Sequence, residues 1–343
     1  MDWLLVAAPL LAEIRNVKKP PGQIPTCVYI PARGRDEPLS RTSKYAVVVR
    51  DADDECIEAA CVKISTVGKG AAVEYAVNSA KCEHLAIFDS DVYFTPVDAE
   101  RLAAAAGRDG VATSYRLIVG RGFWEWVAAA ASDFGFVLMG LHRFLWGGAV
   151  AGRKEILAKV MRGVSSAISD DMYATARARA LDVPIRFIYL KLISPPPADR
   201  PLPIFKWLLR QYAIAARLGP PTVKIGLAAA AIWLVTWAIY PQTLLIYAIA
   251  GYARRKALGA PVTPIYVPAA AVAYVYTLAA ITLGFFTREV EWRGRIIRLN
   301  AELPIRKLSR YIQALSRRSP RAKARLLAEI AVRSQGDVAF PIR

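Results

Sequence analysis

Short apolar runs bounded by polar residues recur through the first half of the chain. Thr26–Pro31 (TCVYIP), Tyr45–Val49 (YAVVV), Val62–Ser65, Leu85–Phe88 and Gly110–Tyr115 have the length of strands. The Leu85–Phe88 run is continuously apolar rather than alternating, as in a strand of a parallel sheet covered on both faces. Ala- and Val-rich stretches of helical length, 71–80 and 97–106, lie between them, and a further helix at 171–180 precedes a strand at 184–190. Residues 55–63 also read as a helix, with Asp53 or Asp54 at its N-cap. Strands alternating with helices predict an α/β domain.

The pattern changes after residue 200. Residues 204–218 (IFKWLLRQYAIAARL) form a basic amphipathic helix with Arg210 and Arg217 about two turns apart on one face. Val223–Ile249 and Ile265–Phe286 are each long enough to cross a bilayer, although Pro241 divides the first. Two crossings return the chain to its starting side and leave Arg254, Arg255 and Lys256 facing outward, against the usual basic-inside bias. Two half-spans around Pro241, 223–240 and 242–252, would keep that basic cluster inside. The expected organisation is a catalytic domain with interfacial helices over 1–221, a membrane region of about two spans over 222–287, and a basic tail over 288–343. Arginines and aromatics punctuate 116–146, as in a segment at a membrane interface or, equally, in core helices. Trp3–Leu11 is too short to span and lacks a basic leader, so it is an interfacial anchor or packs on the domain.

Composition sharpens this division. Hydrophobic residues make up 55% of 343, and the net charge is +18. The last 56 residues hold 14 Lys/Arg against 5 Asp/Glu, half the excess. Such a tail, including an arginine-rich helix near 320–333, suits anionic lipid headgroups, and no nucleic acid is expected. The four cysteines, Cys27, Cys56, Cys61 and Cys82, have no CxxC spacing, and only His84 and His142 could assist them as zinc ligands. Reduced, structural cysteines and a cytoplasmic catalytic domain and tail are expected.

Chemistry gathers at the ends of the predicted elements. Asp89 and Asp91 follow the Leu85–Phe88 strand, where open α/β sheets bind ligands. The pair is either a solvated acidic turn or a seat for a hard divalent ion whose shell phosphate oxygens complete. Acids at 51–54 end the second strand, where a base or ribose commonly sits. Gly68-Lys69-Gly70 opens a helix as a phosphate-facing turn without full P-loop spacing. Asp170 and Asp171 open another helix, where one can cap while the other faces a cleft and the helix dipole favours its ionised form.

Three stretches carry a resemblance: Val49-Arg50-Asp51-Ala52-Asp53-Asp54, Ile168-Ser169-Asp170-Asp171-Met172-Tyr173, and Val290-Glu291-Trp292-Arg293-Gly294-Arg295. Together they resemble family 2 glycosyltransferases, and more narrowly the ceramide glucosyltransferase group of membrane enzymes. The general pattern covers residues 24–217 and the narrower one extends to about 299. The resemblance implies a nucleotide-sugar-binding, glycosyltransferase-A type mixed sheet followed by transmembrane helices. It implies that Asp51 or Asp53 binds the nucleoside of a UDP- or GDP-linked sugar, and that Asp89 and Asp91 are a DxD motif for Mn²⁺ or Mg²⁺, with Asp91 the likelier direct ligand. Lys69 would lie near the donor, and Asp171, beside Asp170, would be the general base. The group's Gln/Arg-x-x-Arg-Trp motif is matched in part: Arg210 fits, Trp207 stands first, and Gln211 replaces the tryptophan.

The function implied is metal-dependent, inverting transfer of a sugar to the hydroxyl of a membrane lipid, a step of glycolipid biosynthesis. A polyprenyl-phosphate glycosyl synthase is the alternative within enzymes, and a processive polysaccharide synthase fits two spans poorly. A non-catalytic adaptor bound to anionic lipid is the alternative from another class.

Overall fold

The computed structural model describes residues 22–299 except Pro241, Arg293 and Gly294. The Trp3–Leu11 anchor, the basic tail with its helix near 320–333, and the centre of the Trp292–Arg295 motif therefore lie outside the described residues. The chain is a mixed α/β structure built on a seven-stranded sheet. Strands β1 (Cys27–Ala32), β2 (Val47–Arg50), β3 (Cys61–Lys63), β4 (His84–Phe88), β5 (Val111–Thr113), β7 (Ala149–Arg153) and β8 (Ile185–Phe187) run in the order β3-β2-β1-β4-β7-β5-β8. The first four are mutually parallel, and β7 is antiparallel to both its neighbours. β4 is buried along its whole length, which explains the unbroken apolar run Leu85–Phe88 within it. A small second sheet pairs β6 (Arg116–Ile118) with β9 (Leu192–Ser194).

From β1 the chain moves outward to β2 and β3, then returns to place β4 on the other side of β1. That reversal opens a crevice at the carboxyl ends of β1 and β4, the usual ligand position in such sheets. Helices α1 (Glu37–Thr42), α2 (Lys69–Ser79), α3 (Pro96–Ala106), α5 (Lys154–Met161) and α6 (Asp170–Ala180) accompany the sheet. Thr95 caps α3 in a capping box with Asp98.

Several expectations are corrected. Residues 55–63 are not helical; they form a turn leading into β3, and Asp54 pairs with Arg50 while accepting the Gly34 N–H at 2.8 Å. The cysteines are not free: Cys27 is bonded to Cys82 and Cys56 to Cys61. Cysteine usage consequently no longer points to a reducing compartment. The 116–146 segment is core rather than interface. Its helix α4 (Phe123–His142) buries Trp126, Phe134 and Phe136 together with every residue from Val127 to Ala131.

Four further helices pack beside α4: α7 (Pro201–Leu218), α8 (Pro221–Ile239), α9 (Gln242–Ala257) and α10 (Tyr266–Gly284). Among the described residues, only α10 is by itself long and apolar enough to cross a membrane. The other expected span is broken: α8 and α9 meet at 116°. Arg254 and Arg255 do not face outward. Both are buried against Asp133 of α4, with Arg255 gripping it through two hydrogen bonds of 2.7 and 2.8 Å. Tyr266 adds a third at 2.7 Å, and Arg255 also donates to the Ile118 carbonyl at 2.8 Å. A buried charge is tolerable only when paired in this way.

Candidate active site

The crevice at the strand ends opens into a cavity of about 810 Å³. The ends of β1, β2 and β4 bring Arg33, Asp51, Asp89 and Asp91 to it, and the first turns of α2 and α6 bring Lys69, Asp170 and Asp171. Strands β1, β2 and β4 each deliver their next few residues to this one edge, and the turn after α5 brings Asp170 and Asp171 to it. Arg210 and Gln211 enter from α7. Asp53 does not line the cavity: it sits in the solvent-exposed turn beyond Asp51.

Lys69 is the hub. Its ammonium lies 2.7 Å from Asp89 and 2.9 Å from Asp170, and it donates to the Gly147 carbonyl at 3.3 Å. Burial opposes its charge, but Asp170 and then Asp89 outweigh that and hold its pKa above the usual lysine range. Asp91 pairs instead with Arg116 at 2.9 Å, and the Arg116 guanidinium lies over the rings of Trp146 and Trp207, 5.6 and 5.7 Å from their centres. Nearby glycines permit this density. A Cβ on Gly147 would fall 2.3 Å from the Asp170 carboxylate, and one on Gly70 would fall 2.4 Å from the Val164 carbonyl.

Four carboxylates thus face two cations. Burial, followed by the Asp91 and Asp170 charges, pushes the Asp89 carboxyl up to about 7 despite Lys69. Asp171 is raised as well, by burial first and then by Asp170, against the pull of Lys69. This corrects the view that the helix dipole alone would leave Asp171 an ordinary ionised acid. The N-cap of α6 is Ser169 rather than either acid: its hydroxyl accepts the Met172 N–H, which Asp171 shares while also accepting from the Ser169 hydroxyl. Asp51 accepts the Gly68 N–H at 3.1 Å and lies 3.8 Å from Arg33, which couples the second strand to the glycine turn before α2.

The donor chemistry of the site fits a divalent ion, because Asp89, Asp91, Asp170 and Asp171 offer hard carboxylate oxygens close together. Among the described residues no three His, Cys, Asp or Glu side chains form a ready cage. An ion held by one or two carboxylates, with phosphate and water completing its shell, needs no such cage. Asp91, 39% exposed, is the more accessible of the pair at 89 and 91, whose other member is 22% exposed.

The remaining walls are apolar. Leu138 and Met139 of α4, Leu208 and Ile214 of α7, and Val223 and Leu227 of α8 line the same cavity. Arg116 was not singled out in the sequence as a site residue, because its role depends on two tryptophans 30 and 91 positions away. Asp133 did leave a signal, an acid inside an apolar run.

No protein-family description matches the chain, and no curated protein matches it. Similar solved structures include mannose-1-phosphate geranyltransferase from Thermus thermophilus, at 12% identity over 50% of this chain and 74% of that one, with a TM-score of 0.26. They also include S. aureus TarS 1-349, at 15% identity over 82% of this chain and 98% of that one, with a TM-score of 0.32. The TarS 1-349 complex with UDP-GlcNAc gives 13% identity, the same coverage and the same score. At these scores the likeness carries no weight for function, which must come from the cavity itself.

Proposed function

We propose that the chain is a glycosyltransferase that moves a sugar from a UDP- or GDP-linked donor to the hydroxyl of a membrane lipid, with Mn²⁺ or Mg²⁺ as cofactor. One observation carries this: a single cavity joins an acid-and-lysine cluster at the sheet's switch point to apolar walls from three helices. Nucleotide donors bind at switch points, and a lipid chain needs an apolar channel reaching the same reacting centre.

In this reading Asp51 meets the base or ribose beside the Gly68 turn. Asp91, with Asp89 behind it, would hold the ion, which when bound neutralises charge on the departing nucleoside diphosphate. Arg210 and Gln211 face the diphosphate from α7. Asp171 accepts the proton of the acceptor hydroxyl as its oxygen attacks the anomeric carbon. The bond from that carbon to the diphosphate oxygen breaks, and a single displacement inverts the configuration. A carboxylate raised by burial suits that task, since basicity nearer the working pH favours proton transfer. Lys69 keeps a fraction of the cluster ionised.

The test is transfer from radiolabelled nucleotide sugars to extracted membrane lipid by the purified chain, with and without EDTA. Asp171→Asn should abolish turnover while leaving donor binding nearly intact. Asp91→Ala and EDTA should each remove activity, and transfer indifferent to both would refute the metal role. Full activity of Asp171→Asn on a polyprenyl phosphate would instead favour that acceptor, which needs little deprotonation.

A further inference from the structure

Helix α10 satisfies the length and apolarity of a membrane span, yet both its ends are fastened to the α/β domain. At its start, Tyr266 donates to Asp133 and packs edge-on against Trp126, and Ala260 just before it is buried in the core cluster with Ala86 and Phe88. At its middle, Tyr276 meets Trp124 and Phe205. At its end, Gly284 lies so close to α7 that a Cβ would come within 3.0 Å of the Ala213 nitrogen. The hairpin that follows, β10 (Glu289–Trp292) with β11 (Arg295–Arg298), sends Ile297 into the wall of the catalytic cavity. A 19-residue helix is about 28 Å long. Were it to cross a hydrocarbon core of about 30 Å, one end would lie beyond the domain's reach.

Helices α8 and α9 return in the same way. They turn by 116°, Tyr247 donates to the Ala130 carbonyl, and Arg254 and Arg255 close on Asp133. Their outward surfaces are nevertheless apolar. Ile225, Ile232 and Ile239 stand seven apart on α8, each about two-thirds exposed. Leu245 and Ile249 continue the surface on α9, and Val275 and Phe286 extend it along and just past α10. A helix face turned to water is normally polar. Cations adjoin this surface: Lys256 follows Ile249 by two turns, and Arg288 follows Phe286 by two residues, both exposed.

We infer that α8, α9 and α10 dock into one leaflet of an anionic lipid bilayer, from the side on which the α/β domain lies, and that no described segment crosses. The apolar faces enter the acyl region while Lys256 and Arg288 remain at the headgroups. The same α8 turns Val223 and Leu227 into the catalytic cavity, so the embedded layer is continuous with the apolar walls of the site. A lipid acceptor can pass from leaflet to site without leaving apolar surroundings. This deepens the membrane part of the proposed function and is independent of the transfer chemistry.

The test uses the full chain in sealed membrane vesicles from expressing cells, with single cysteines placed by Arg108→Cys, Lys256→Cys and Arg288→Cys. The native cysteines are paired and serve as the blank. With a membrane-impermeant maleimide, the three positions should label to the same extent before detergent. A crossing by α10 would put Arg288 opposite Arg108, and a crossing by α8 and α9 would put Lys256 opposite it. Either pattern, or a chain recovered free of the vesicles, overturns the inference. Equal labelling without sugar transfer would refute the proposed reaction alone. As a second measure, Ile225→Asp with Ile232→Asp, both at exposed positions, should reduce co-flotation with phosphatidylcholine–phosphatidylglycerol vesicles by about tenfold or more. Unchanged co-flotation would also overturn it.

Discussion

Asp133→Asn should destabilise the protein more than any other single change in its helical layer. Asp133 and Arg255 are fully buried and joined by two hydrogen bonds, with Tyr266 at 2.7 Å and Arg254 at 3.4 Å on the same carboxylate. The amide leaves two buried guanidiniums without a counter-charge, and breaking a buried pair on one side costs about 3–5 kcal/mol. Arg255→Met removes the opposite partner but leaves Arg254 and Tyr266 on the carboxylate, so it should cost less, about 2–3 kcal/mol. Tyr266→Phe removes one hydrogen bond and should cost about 1 kcal/mol. Chemical denaturation of the full chain in a mild detergent would measure all three, and a midpoint drop of about 4–7 °C is expected for Asp133→Asn on heating. A cost below about 1 kcal/mol for Asp133→Asn, or a larger cost for Tyr266→Phe, would refute the buried network as the pin that holds α9 and α10 to the domain.

Gly147→Ala should lower turnover severalfold with little loss of stability, because the methyl group displaces Asp170 and Lys69 rather than core side chains; steady-state rates and melting temperatures compared with wild type would decide this. In the metal-free protein, the raised Asp89 carboxyl keeps its proton up to about pH 7 when folded but releases it near pH 4 when unfolded. Its contribution to stability therefore falls as pH rises from about 4 to about 7, and Asp89→Asn should flatten that slope in melting curves. Arg116→Lys keeps the charge beside Asp91 but loses the broad guanidinium face over Trp146 and Trp207; it should weaken metal-dependent donor binding, measured by calorimetry. Opening Cys27–Cys82 by a double alanine substitution should cost about 4 kcal/mol from its 55-residue loop, against about 2 kcal/mol for Cys56–Cys61 with its loop of 5, as denaturant midpoints would show.

Much of the fold and half of the site could be read along the chain. A continuous apolar run such as Leu85–Phe88 identifies a buried strand because both faces are covered, and that needs only local sequence. The acids at 51, 89, 91, 170 and 171 stood out because α/β topology brings strand ends and helix starts to one edge wherever they occur in the sequence. Tertiary structure alone decided what each charge meets. Lys69 holds Asp89 and Asp170 from two different elements, Arg116 takes Asp91 while lying over Trp146 and Trp207, and Asp53 lies exposed beyond Asp51. The cysteine pairs were hidden for the same reason, since bonding depends on approach in space rather than spacing in sequence. Hydropathy marked 222–287 as apolar but gave no direction to its helices. Asp133 supplied the direction: a carboxylate buried on α4 pairs with Arg254, Arg255 and Tyr266, and so fastens the end of α9 and the start of α10 to α4, because an unpaired charge there is too costly to leave.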